Sequence, residues 1–62
     1  MAHLVDTVWQ SGVFSCRIYR IGGLLEVRLY EGETPRKVST CRDLPDCFAV
    51  GNSWQAKLSR VK

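Results

Sequence analysis

The chain reads as an α+β domain, a three- to four-stranded antiparallel β-meander with one C-terminal α-helix packed on one face. Three observations predict it. Gly22-Gly23 separates two apolar, β-branched runs, residues 13–21 and 24–31, the pattern of a two-residue hairpin whose turn residues take φ > 0. A second turn signal, Ser11-Gly12, stands directly before Val13. Past residue 43 the apolar period changes from two to steps of three and four, which is helical.

The first element, residues 4–10, alternates loosely, with Val5, Thr7 and Trp9 on one side and Leu4, Asp6 and Val8 on the other. With two tight turns the register follows. Trp9 then faces Phe14, Thr7 faces Cys16 and Val5 faces Ile18; across the second hairpin Ile18 faces Val27 and Cys16 faces Leu29. Nearly every member of that set is apolar, so it is the inward face. Residues 31–35 read as a looser loop. Residues 36–41 read as a short edge strand with Val38 inward, and Arg36 and Lys37 discourage pairing with a stranger.

In the last third, Leu44, Phe48, Trp54, Leu58 and Val61 form the inward stripe. Asp43 is the expected N-cap, Pro45 is tolerated in the first turn, and Asp46 favours the positive end of the helix dipole. Gly51-Asn52-Ser53 has poor helix propensity. Two outcomes stay open there: a break near Gly51, or a continuous helix whose backbone approaches the sheet closely at that glycine.

With 62 residues, residues 1–62 are read as one small domain, and a chain of that length is short of core. A net charge of +3 is mildly basic. No run approaches the ~18–20 apolar residues of a membrane span, and the start lacks signal-peptide features. Three cysteines, an odd count, point to reduced thiols and hence to the cytoplasm.

The face away from the helix carries Leu4, Val8, Tyr19, Ile21, Leu24 and Tyr30 among Asp6, Arg17, Glu26 and Arg28. Arg17 falls opposite Arg28, a destabilising like-charge pair; with Asp6 opposite Arg17 on its other side and Glu26 diagonal to it, a neutralised row and an unbalanced basic patch both stay open. Two uses of this face are weighed beside an ordinary solvated one. Leu4, Tyr19, Ile21, Leu24 and Tyr30 are the candidate interface for a second copy or another protein, with a sheet edge as the other route for self-association. Arg17, Tyr19, Arg28, Tyr30 and Lys37 are the candidate nucleic-acid face.

Little points to chemistry. Cys16, Cys41, Cys47 and His3 lack metal-ligand spacing, and His3 pairs opposite Arg20, far along the strand from Cys16. Cys47, in the first helical turn, is the one hint of a reactive thiol. Gly22-Gly23 joins antiparallel strands and is no phosphate loop. No catalytic residues, metal, cofactor or small-molecule ligand are expected, and the chain is read as not an enzyme. The pattern Trp9…Gly12…Leu25-Glu26-Val27…Trp54…Leu58 resembles a family of small bacterial proteins of unknown function, built as a strand meander followed by one helix. That likeness implies the fold and carries no functional residues.

Overall fold

The computed structural model describes residues 2–59. Four strands, β1 (Ala2–Ser11), β2 (Phe14–Ile21), β3 (Leu24–Glu31) and β4 (Thr34–Cys41), precede one helix, α1 (Leu44–Ser59). The strands form one antiparallel sheet in the order β1-β2-β3-β4, and α1 lies across one face.

All three hairpins are tight. Their two-residue turns are Gly12-Val13, Gly22-Gly23 and Gly32-Glu33, each opening on a glycine with φ near +60°. Only Gly tolerates that conformation cheaply, and Gly-first turns match the strand twist. The first turn therefore sits one residue later than Ser11-Gly12 suggests, and the loop expected at residues 31–35 is a tight turn. Turns one and three share an end of the sheet, where Gly32 N donates to Val13 O at 2.6 Å.

The β2–β3 register is as expected, with Cys16 opposite Leu29, Arg17 opposite Arg28 and Ile18 opposite Val27. Strand β1 departs from its expected register. His3 does pair with Arg20, but irregularities between Leu4 and Asp6 and between Thr7 and Trp9 shift the pairing. Trp9 comes opposite Cys16, Thr7 opposite Arg17 and Asp6 opposite Ile18. Each bulge inserts one residue and turns the following side chains to the other face. Val5, expected in the core, is 37% exposed.

The second bulge has an evident purpose. Consecutive residues of a regular strand point to opposite faces, yet Val8 and Trp9 both reach Gly51 of the helix. A Cβ on Gly51 would sit 2.9 Å from Val8 Cγ1 and 3.0 Å from Cys16 Sγ, and Trp9 Nε1 donates to Gly51 O at 2.8 Å. The helix is continuous through Gly51, whose missing side chain admits the close approach. Val8 thus packs against the core rather than lying on the far face.

The core comprises Trp9, Cys16, Ile18, Val27, Leu29, Cys41 and Cys47, with Phe14, Leu25, Phe48, Val50, Trp54 and Leu58 packed around it. Val38 and Leu44, expected inside, are exposed; Val38 pairs with Arg28, so it stands on the bare face. Val61 lies outside the described residues. Asp43 caps the helix as expected, its Oδ1 accepting from Asp46 N at 2.9 Å. Asp46 returns a bond by accepting from Arg42 N at 3.3 Å.

Candidate functional site

The pleat sorts alternate residues to the face without the helix. In register across the strands, one row there reads Leu4, Tyr19, Glu26, Thr40 and the next reads Thr7, Arg17, Arg28, Val38. Tyr30 stands opposite Ser15, and Ile21 opposite Leu24. Four of the five candidate interface residues, Leu4, Tyr19, Ile21 and Leu24, gather toward the Gly22-Gly23 turn. Tyr30 stands roughly 20 Å along the strand from Leu24, at ~3.3 Å per residue. Leu4, Leu24 and Val38 are 56%, 60% and 55% exposed, and Tyr19, Ile21 and Tyr30 are half-buried.

At the centre of the face is a cluster whose order was missed in the sequence. Arg17-Ile18-Tyr19 on β2 and Arg28-Leu29-Tyr30 on β3 are the same Arg-x-Tyr triplet written twice. Because the strands are antiparallel and Arg17 meets Arg28, each arginine lies diagonal to the other strand's tyrosine. The Arg28 guanidinium carbon lies 4.6 Å from the Tyr19 ring centre and that of Arg17 lies 5.9 Å from the Tyr30 ring centre, within cation–π range. The repeated triplet was the available signal in the sequence, and its diagonal stacking appears only when the hairpin is folded.

Glu26 partners one arginine. Its Oε1 accepts from Arg28 Nε at 3.1 Å and Nη2 at 2.9 Å, while Arg28 Nη1 contacts Tyr30 Oη at 3.4 Å. The Tyr30 and Glu26 bonds, in that order, raise the Arg28 pKa above its ordinary value. Arg17 has no carboxylate within 4.0 Å among the described residues. Asp6, its expected cross-strand neighbour, pairs with Ile18, and Thr7 takes the place opposite Arg17. The bulge has carried the carboxylate off this face.

The candidate nucleic-acid set is divided. Arg17, Tyr19, Arg28 and Tyr30 share the bare face. Lys37 pairs with Leu29, a core residue, and its Nζ lies 5.8 Å from the Trp54 ring centre, so it stands on the helix side.

Both edges of the sheet are interrupted. Strand β1 carries two bulges, and β4 carries one beside Pro35, between the Leu29–Lys37 and Tyr30–Pro35 pairs. Such breaks disrupt the regular row of donors and acceptors that strand addition needs.

On the covered face the thiols are free and buried. Burial pushes Cys16 up to about 11. It pushes Cys47 up to about 12, with the neighbouring Cys41 thiol and the Asp46 and Asp43 charges adding to it. Burial thus opposes the thiolate at Cys47, the reverse of what an activated thiol at a helix N-terminus needs. Among the described residues, no three His, Cys, Asp or Glu side chains converge as a metal site. No helix there is long and apolar enough to cross a membrane.

No known protein family, curated protein or solved structure matches the chain.

Proposed function

We propose that this chain is a non-catalytic interaction module that docks a protein surface, a second copy or another chain, on the bare face of its sheet. The observation that carries this is the exposure of Leu4, Leu24 and Val38 around a half-buried Arg/Tyr cluster on a face that no described element covers. Apolar residues flanking ordered Arg and Tyr have the composition of interface anchors. The bulged edges favour the face over strand addition as the docking route. The buried, reduced thiols suit a cytoplasmic setting.

Sedimentation over a wide concentration range tests the second copy. A mass that rises with concentration, and stops rising in Leu24→Glu, assigns self-association to the face. A strict monomer sinks the second copy and leaves a different chain, which a photo-crosslinker at position 24 tests in extract. Val13, 63% exposed in the first turn and off the face, is the control position. Equal crosslinking from positions 13 and 24 removes the reading.

A second reading, nucleic-acid binding, draws on the Arg17–Arg28 apposition. Weighing against it, Arg28 already occupies one face of the Tyr19 ring, and the Glu26 carboxylate bound to Arg28 on this face opposes a phosphate backbone. Binding to mixed DNA and RNA that falls steeply with salt would favour this second reading.

A further inference from the structure

We propose that Arg17, the member of the Arg17–Arg28 pair without a carboxylate partner among the described residues, is a carboxylate seat, whose occupant is an acidic side chain of a protein partner flanked by apolar residues. This rests on the reading of the bare face as a protein-docking surface and names what that surface selects.

The two guanidinium-bearing residues are direct cross-strand partners, with Cα atoms ~4.5–5.5 Å apart. Glu26 engages the Nε–Nη2 edge of Arg28 and Tyr30 Oη accepts from its Nη1, whereas Arg17 has no carboxylate partner among the described residues, so the open donors are those of Arg17. Two positive charges thus share one carboxylate, and an incoming anion relieves the repulsion between them. The seat is also pre-ordered: Tyr19 holds Arg28 and Tyr30 faces Arg17. Less side-chain freedom is then lost on binding than with unstacked arginines.

Charge complementarity selects among occupants. A second copy placed centrally would set its own Arg17–Arg28 pair against this one, a like-charge contact that opposes association. A nucleic acid would set phosphates and sugars against the exposed Leu4, Leu24 and Val38. A Glu or Asp between apolar residues satisfies both the seat and its flanks.

The test uses the 15N-labelled chain, with Arg Nε–Hε and backbone amide signals followed by NMR. The probes are a capped Ser-Leu-Glu-Leu-Ser peptide, its Glu→Gln counterpart and a short thymidine oligonucleotide. The Glu peptide is expected to move the Arg17 and Arg28 side-chain signals and to bind about tenfold more tightly than the Gln peptide, the scale of one charge-assisted hydrogen bond. Arg17→Gln removes that preference, and Arg17→Lys restores only part of it. Equal binding of the two peptides, with shifts at Leu4, Leu24 and Val38, overturns the seat and leaves the docking face standing. No shift on this face from either peptide overturns both. An oligonucleotide that moves the arginine signals at lower concentration than the Glu peptide, and loses that effect with salt, overturns the protein occupant.

Discussion

The two faces of one sheet, built from alternate residues of the same strands, solve opposite problems. Toward the helix the strands present Cys16, Ile18, Val27 and Leu29, all essentially out of water, and the contact tightens on a glycine. On the other side the residues between them, Arg17, Tyr19, Glu26, Arg28 and Tyr30, stack and pair with one another and stay half-exposed. One face derives stability from close packing. The other keeps charges ordered in reach of solvent, an arrangement that contributes little to stability.

Substitutions should divide along that line. Gly51→Val is expected to cost the most, about 3 kcal/mol, because the new side chain must displace Val8 and Cys16 in a packed interior. Gly51→Ala should cost less, since better helix propensity returns about 1 kcal/mol. Urea unfolding measures both, and an unchanged midpoint for Gly51→Val would break the close-contact account.

Trp9→Phe comes next. It removes the indole donor to Gly51 O and should cost about 1–2 kcal/mol, more than one ordinary hydrogen bond because of the lost volume. Native-state hydrogen exchange should then rise first across β1 and the middle of α1.

Alkaline pH separates the faces differently. Burial pushes the folded Cys47 thiol from its ordinary 9.0 up to about 12, so the unfolded chain releases its proton first. Stability from this group is complete below pH 9.0, declines as pH rises toward 12, and then levels off. Cys47→Ala should flatten that decline relative to the parent, and a parallel decline in both would remove the thiol as its cause.

The smallest effects belong to the bare face. Leu24→Ser and Arg17→Gln should each change stability by less than about 0.5 kcal/mol, with Arg17→Gln tending to stabilise by removing the like-charge apposition. A loss comparable to that of Gly51→Val would show that this face carries structure rather than recognition.

Much of this division was legible from single residues. Gly22-Gly23 set the central hairpin, so Arg17 opposite Arg28 and Cys16 opposite Leu29 followed directly. Asp43 and Asp46 marked the helix start. Gly51 on the apolar stripe pointed to close approach if the helix ran on. The candidate face was legible only in part: Leu4, Tyr19, Ile21, Leu24 and Tyr30 share it, while Lys37 does not and Val38 does.

Turn chemistry, caps and periodicity are local properties, and from them the sequence alone determined the meander, the helix and which central residues face one another. The placement of extra residues in the outer strands is not local. It depends on what the adjoining layer offers, here a bare glycine backbone that receives both Val8 and Trp9. Only the tertiary structure therefore decided that β1 bulges, that Asp6 leaves the arginine row, and that Arg17 lacks a carboxylate partner among the described residues. A regular strand would have neutralised Arg17, whereas the packed one brings Trp9 to the helix and leaves that arginine's charge facing solvent.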